Sequence, residues 1–393
     1  MGISQEKVNQ AGWFITKNNI SSIERLDLFL KNDIQKNKSY QPVNRQYNLL
    51  NVYLKKYTAL EKKGGWVNNI TTAKKGDSAS TILLIKEQLF LQGDLVVNDY
   101  TNVFNDSVEL AVKKFQHRLG IAENGIVGGK TLMELNVSIH QRIEQLMINI
   151  ERSKWMPIEQ EGDYLAVNIP DFKLLVYTNN KLEWSCNVVV GKSNFSSHTI
   201  IFNDSLVDIV FSPYWNVPAS IMFKETLPAI RSNRHYLSSR NMEIVDENNK
   251  TIPLSRINKN QLRSGFPYSI RQKPGKNNSL GLVKFLFPNN YNIYMHDTPE
   301  KSLFNESTRM FSHGCIRVEE PIKLAKFLLR NDSSWTDEKI ATAMDGTKEI
   351  YVKLHRKIPV YIAYFTAWVD KAGNLNFRDD IYHHDAKMKE LIF

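Results

Sequence analysis

The chain has 393 residues, 42% of them hydrophobic and 23% charged, with a formal net charge of +10. That is room for two or three domains with sizeable cores, and the composition is that of a folded protein without low-complexity segments. The basic excess favours acidic partners (nucleic acid, an anionic membrane or a carboxylate-bearing polymer), but it is scattered, with no block of five Lys or Arg and no nucleic-acid module, so most of it reads as solvated surface.

Two cysteines, Cys186 and Cys315, cannot make a disulfide framework. No apolar run of about 18 residues is present, so no spanning helix is expected, and the first residues lack the pattern of a signal peptide. Either the protein stays in the cytoplasm or its targeting segment lies outside this sequence.

Residues 1–76 read as a helical scaffold. "ERLDLFLKNDI" and "YNLLNVYLKKYTALEKK" carry apolar residues at steps of three and four, and Gly64–Gly65 ends the second. Residues 77–137 read as a three-helix module. Ile82, Ile85 and Leu89 face one way before Gly93. Asp106 and Glu109 have capping-box spacing ahead of Val108, Val112, Phe115 and Leu119, and "NGIVGGKTLMELN" gives a turn and a third short helix. Ser138 and Gln141 form another capping box at the head of a connecting helix, 138–163, whose face is Ile139, Ile143, Leu146 and Ile150.

After Pro157 the texture becomes β. "YLAVNIP", "FKLLVYT", "LEWSCNVVVG", "HTIIFNDSLVDIVFSP" and "YNIYMH" are short, β-branched and aromatic, and turn residues separate them. Cys186 falls in the third and reads as a buried structural thiol. Between the strands lies an insertion, about 218–274, with helical pieces and a polar remainder; it is either a lid or surface decoration. A helix ("EEPIKLAKFLLR"), two strands ("EIYVKLH", "PVYIAYFTAWV") and a tail, 371–393, close the chain. The fold class is α+β and multidomain, with a mostly β domain over 164–370.

Chemistry concentrates in "YMHDTP" and "FSHGCIRV". His296 follows an apolar strand, where a rigid element supports it. An imidazole beside Cys315 can take the thiol proton, Gly314 lets a ligand approach the backbone, and the Gly314 and Cys315 amides are oxyanion donors. This is acyl-transfer equipment. A zinc site is the first rival, but His296, His313 and Cys315 supply only three ligands and no CxxC or HExxH pattern adds a fourth. A buried thiol beside two satisfied histidines is the second. No metal or cofactor is expected.

The triplet has company. "HDTP" and "SHGCIRV", with fifteen residues between His296 and Ser312, resemble the signature of YkuD-type L,D-transpeptidases. "FSPYWNVPASI" and "RQKPGKNNSLGLVKFLFPNNYNIYMHDTP" resemble the segments before that signature in the large YcbB-like subgroup, which carries a lid-like insertion in the same place. The three-helix module is similar to a peptidoglycan-binding domain with a "GIVG…T" turn, although Asn124 stands where many have Asp. "YLKKYTALEKKGGW" resembles the helical scaffold upstream. The resemblance covers most of residues 45–370.

It implies that Cys315 is the acylated nucleophile, His296 its proton donor and acceptor, and His313 a supporting residue. Gly314 then supplies an oxyanion-hole amide, and Arg317, Ser312, Trp215 and Asn216 fall on the substrate side. Asp297 follows His296 where other subgroups often have Ser or Gly. The implied activity is a peptidoglycan L,D-transpeptidase that makes 3→3 cross-links through a thioester. Its implied partners are a donor tetrapeptide stem and an acceptor amine, with carbapenem β-lactams as inhibitors and no nucleic acid. That substrate lies outside the cytoplasmic membrane, so the expected compartment is the periplasm or cell envelope, with a targeting segment removed. A carboxypeptidase or cross-link hydrolase on the same site, and a non-catalytic wall-binding protein, remain as alternatives.

Overall fold

A computed structural model describes residues 5–10, 12–15, 44–156, 162–258, 260–262 and 265–393. The helix expected in "ERLDLFLKNDI" lies outside the described residues, as does Pro157. A short N-terminal helix, α1 (Gln5–Gln10), leads into β1 (Trp13–Phe14), which the sequence pattern did not indicate. The scaffold helix α2 (Arg45–Lys62) starts where the Asn44 side chain accepts from the Gln46 N–H, and it stops before Gly64–Gly65.

The helical module follows as α3 (Ser80–Gln92), α4 (Asp106–Arg118) and α5 (Gly129–Leu135). Gly93 takes the left-handed conformation that closes α3. The cap of α4 sits one residue earlier than expected. Asn105 accepts from the Val108 N–H, while Asp106 is drawn into an ion pair with Lys75 at 2.5 Å. The capping box of α6 (Ile139–Ser153) is present as expected, with both the Ser138 and Gln141 halves made. Ile82, Ile85, Leu89, Val108, Val112, Phe115, Ile139, Ile143, Leu146 and Ile150 share one buried core.

The β domain contains β2 (Asp163–Asn168), β3 (Lys173–Thr178), β4 (Lys181–Gly191), β5 (Ile201–Phe211), β10 (Val283–Leu286), β11 (Met295–His296), β12 (Met310–Ser312), β13 (Ile316–Val318) and β14 (Ile350–Ala363). The order is β5-β10-β11-β13-β4-β3-β2-β14, and β14 also pairs with β5, so the sheet closes on itself. Closure leaves no open edge along that ring. β1 adds to β5 in parallel, and β12 pairs with β4. Leu165, Val167, Leu174, Val188, Ile209, Phe285 and Ile316 fill the core, and Cys186 is buried among them as expected.

Two features of the C-terminal region differ from the sequence reading. The two expected strands are one strand, β14, whose register against β5 shifts between Lys353 and Ile358. The apolar alternation breaks at that irregularity, which is why the sequence looked interrupted. The residues after it, β15 (Ala367–Val369) with its partner β16 (Leu375–Phe377), leave the β domain and pack into the core of the helical module. Two further helices, α7 (Pro321–Leu329) and α8 (Asp337–Met344), pack on each other, and the tail ends in α9 (His384–Ile392), which packs on α6.

Residues 215–272 form a unit of their own. β6 (Trp215–Asn216), β7 (Met242–Val245), β8 (Thr251–Ile252) and β9 (Ser269–Gln272) make a four-stranded sheet in the order β6-β9-β7-β8. Short helical turns over 219–232 cover it, and Met222, Leu227, Ile230, Leu237, Ile244 and Ile270 are buried between. The insertion therefore has a hydrophobic core separate from that of the β domain.

The tail buries a titratable group. His384 is packed below Tyr364 and Tyr382, and burial, with the nearby Arg152 charge, lowers its pKa from 6.5 to about 3. As pH falls through 6.5 the unfolded chain binds this proton first, so the folded state loses stability from there down to about pH 3 and no further below. Thermal unfolding followed from pH 7.5 to 4 should show a falling Tm, and His384→Gln should flatten that fall. An unchanged slope in the variant would mean that His384 is not buried in its neutral form.

Candidate active site

β11 and β13 run in parallel with Met295 opposite Ile316 and His296 opposite Arg317. The Ile316 N–H donates to the Tyr294 carbonyl at 3.0 Å, which carries the pairing one residue back and puts Tyr294 beside Cys315. Alternate residues on a strand share a face, so Tyr294 goes with His296 and Cys315 with Arg317.

Cys315 is partly buried. Its sulfur lies 3.6 Å from the Asn292 carbonyl, and the main chain and phenol of Tyr294 favour its thiolate form. Burial pushes the thiol up to about 11, and Tyr294 and the Arg317 charge only partly oppose it. Burial likewise raises the Tyr294 phenol well above its usual value, with the Cys315 charge adding to the effect. Burial, then the Arg317 charge, lowers His296 to about 3, against the Asp297 and Leu280 carbonyls that favour its protonated form. The resting site thus holds a neutral thiol and a neutral imidazole.

His296 Nδ1 lies 2.5 Å from the Asp297 carbonyl, so in the neutral ring Nδ1 carries the proton. Asp297 holds this turn in place. Its carboxylate accepts from the Leu282 N–H at 2.8 Å, the Thr298 N–H at 2.7 Å and Lys301 Nζ at 2.7 Å. The approach is close enough that a Cβ on Gly281 would fall 2.3 Å from Asp297 Oδ2. Among the described residues, His296 makes no hydrogen bond to the Cys315 sulfur, although the two lie on paired neighbouring strands.

The loop between β12 and β13 is braced from two sides. The buried Ser312 hydroxyl donates to the Cys315 carbonyl at 2.6 Å and accepts from the Gly314 N–H at 3.0 Å. The Gly314 N–H, one of the two expected oxyanion donors, is therefore engaged inside the loop. The Gly314 carbonyl accepts from Thr199 Oγ1 at 2.8 Å, and Gly191 N–H donates to the same hydroxyl at 2.9 Å. Across a planar trans peptide, fixing that carbonyl turns the Cys315 N–H to the opposite side. Gly314 has φ +120°, a conformation that glycine takes readily and an L residue rarely does.

The remaining expected residues are spread around this loop. His313 is largely exposed, and its Nε2 lies 3.0 Å from Oε1 of Glu225, a residue of the insertion. Arg317 pairs with Glu300. Trp215 and Asn216 lie on β6, hydrogen-bonded to β9, and belong to the insertion's sheet. In the helical module Asn124 Oδ1 accepts from Gln116 Nε2 at 2.7 Å and the Ile126 N–H at 2.9 Å, so its oxygen holds the turn together. No group of three or more His, Cys, Asp or Glu placed to hold a metal occurs among the described residues, and no described helix is long and apolar enough to cross a membrane.

Sequence reasoning missed Tyr294, Thr199 and Glu225. Tyr294 had a signal, since it precedes His296 by two in an alternating strand. Thr199 and Glu225 reach the loop from residues far away in the chain, and nothing local marks them.

A model of the L,D-transpeptidase catalytic domain (YkuD) matches residues 162–362, more than half of the chain, and the chain belongs to that family. A second model, described as "Putative peptidoglycan binding domain", matches residues 80–135. A Haemophilus influenzae protein described as "Putative L,D-transpeptidase" is 32% identical over 245 residues, which is 62% of this chain and 49% of that protein. The chain thus spans about half the length of this curated relative. A solved L,D-transpeptidase from Stackebrandtia nassauensis is 14% identical, with 75% of this chain and 96% of its own covered and a TM-score of 0.27. One from Xylanimonas cellulosilytica gives 12%, 75%, 98% and 0.22. Superpositions this loose carry no argument, and the family assignment rests on the sequence match.

A thiol held near 11 should be alkylated by iodoacetamide at a rate that keeps rising through pH 9, with no plateau near neutrality. Tyr294→Phe removes a donor to the thiolate and should slow alkylation at any fixed pH. A plateau near pH 7 would instead mean a pre-formed thiolate–imidazolium pair.

Proposed function

We propose that the protein is a peptidoglycan L,D-transpeptidase of the cell envelope that forms 3→3 cross-links through a thioester on Cys315. The observation that carries the reading is the placement of the thiol. Cys315 stands at the head of β13 beside Tyr294, with its own N–H turned by the Thr199–Gly314 bond towards the face opposite that carbonyl.

With neutral partners at rest, proton transfer accompanies attack rather than preceding it. The sulfur attacks the carbonyl between the L-centre of a diamino acid and the terminal D-Ala of a tetrapeptide stem, and the thiol proton passes to His296 Nε2. The tetrahedral oxyanion is met by the Cys315 N–H, a contact whose loss typically costs ~10²–10³ in kcat. The amide C–N bond breaks, D-Ala leaves with the proton from His296, and a thioester remains. The amine of a second stem attacks that thioester, its proton goes to His296, and the thiolate leaves and is reprotonated. The helical module of residues 80–135 would hold the polymer near this site, and carbapenems, whose strained ring a thiolate opens, would acylate Cys315.

Cys315→Ala should abolish dimer formation from purified tetrapeptide muropeptides while leaving the fold intact, and Cys186→Ala should cost stability only. Intact mass should show one carbapenem adduct on the wild type and none on Cys315→Ala. An adduct that survives Cys315→Ala would refute the assignment of the nucleophile, and tripeptide without dimer would make the enzyme a carboxypeptidase.

The insertion serves as the lid in this reading, because Glu225 reaches His313, two residues from the nucleophile. Closing it over the thioester lets an amine win against water. Glu225→Ala should raise the ratio of tripeptide to dimer by about two- to tenfold, the worth of one partly exposed polar contact. An unchanged ratio would leave the insertion without that role.

A further inference from the structure

Beside β11 and β13 lies a cavity of about 440 Å³, lined by Thr298, Glu300 and Arg317 and by Arg240 and Gln272 of the insertion. It adjoins the chemistry, because Arg317 is two residues from Cys315 and stands opposite His296 in the parallel pair. The volume suits an amino-acid-sized group, and the lining is polar and charged.

The charges are arranged unequally. Arg317 is mostly buried and pairs with Glu300, whereas Glu300 is largely exposed, with a side-chain exposure of 60% against 18% for Arg317. The Arg317 Nε is buried with no hydrogen-bond partner among the described residues. Arg240 is exposed on the facing side, with its guanidinium against the Tyr236 ring, and makes no ion pair among the described residues. The Arg240 carbonyl is tied to Gln272 Nε2 at 3.0 Å, which fixes its backbone at the cavity wall. A mostly buried cation paired, among the described residues, with a largely exposed carboxylate, across the cavity from a second cation that makes no ion pair there, is a seat for an incoming carboxylate.

We propose that this cavity binds a carboxylate of the stem peptide between Arg317 and Arg240, and that Glu300 occupies Arg317 until that carboxylate displaces it. The inference rests on the transpeptidase reading, since it concerns the substrate of the same site. A donor tetrapeptide with a diamino acid bears several carboxylates: at the D-centre of the diamino acid, at the terminal D-Ala and on an acidic residue nearer the sugar. All share the chemistry. Because the insertion supplies Arg240, an occupied cavity would also bridge the lid to the β domain through the substrate.

The test uses the full chain and synthetic tetrapeptide stems, either with all carboxylates free or with one converted to its amide in turn, and reads the rate of Cys315 acylation by mass against stem concentration. Arg240→Gln should raise KM for the free-acid stem about five- to tenfold, the usual worth of a charge-assisted hydrogen bond in a partly exposed site. Glu300→Gln should act in the opposite direction and lower KM severalfold, because it removes the competitor. Both shifts should vanish with the stem whose amide replaces the bound carboxylate, and that arm identifies it. Shifts of the same sign in the two variants, or shifts that persist with every amidated stem, would overturn the subsite. If both variants acylate with wild-type KM the subsite fails while the transpeptidase reading stands. If the wild type forms no acyl-enzyme from any stem, the reading fails and the subsite with it.

Discussion

The site depends on one parallel pairing, β11 against β13. Parallel neighbours cannot be joined by a tight turn; they need a crossover of a dozen or more residues. The fifteen residues between His296 and Ser312 belong to that crossover, so the spacing in the motif reflects the length of chain needed to return beside β11 in the same direction. The register then does the rest. His296 opposite Arg317 fixes Tyr294 opposite Cys315, and the alternation along each strand brings the four side chains to one region of the sheet. A slip of one residue would reverse which face each side chain points to and dismantle the site.

A register sets positions to within a strand spacing, and the chemistry needs the peptide plane as well. The loop before β13 gets its plane from outside the motif. Thr199 holds the Gly314 carbonyl and the Gly191 N–H together, and the Tyr382 hydroxyl donates to the Gly191 carbonyl at 2.6 Å. Tyr382 is held in turn by Tyr364, whose hydroxyl accepts from the Tyr382 N–H at 2.8 Å and donates to Asp380 at 2.6 Å. A Cβ on Gly191 would fall 1.8 Å from the Ser197 carbonyl, so the two backbones meet without room for a side chain. The tail beyond the matched region thus reaches the loop before β13 through two hydroxyls and one glycine.

What the sequence made legible follows from how local each signal is. The capping box at Ser138, the left-handed glycine at Gly93 and the alternation through Cys186 depend on a few neighbouring residues, and each is present in the structure. The motif residues were nameable because their types and spacing resemble a family, and the family match supports that likeness. The cap was misplaced by one because Asn105, the residue before Asp106, is itself a good cap and accepts the Val108 N–H, while Asp106 pairs with Lys75. Ala367–Val369 looked like the end of a β-domain strand and Leu375–Phe377 like tail; an apolar pattern says that a face is buried, and here the partner is the helical module. Thr199, Glu225 and Arg240 act across the fold, where no local pattern announces them.

The neutral resting state ties these parts together. The burial that keeps the thiol protonated and the imidazole uncharged also makes Cys315 a poor target for adventitious oxidants, since thiolate is the reactive form. The same burial would make this thiol a sluggish nucleophile unless a bound group supplied what solvent does not. A carbonyl seated against the Cys315 N–H offers a place for charge to develop, and charge that develops on the substrate oxygen needs no free thiolate beforehand. The insertion meets this loop through Glu225, whose carboxylate lies 3.0 Å from His313, and it presents Arg240 at the neighbouring cavity. On the proposed reading, reactivity at Cys315 depends on what fills the site, because burial disfavours the thiolate and the imidazolium alike.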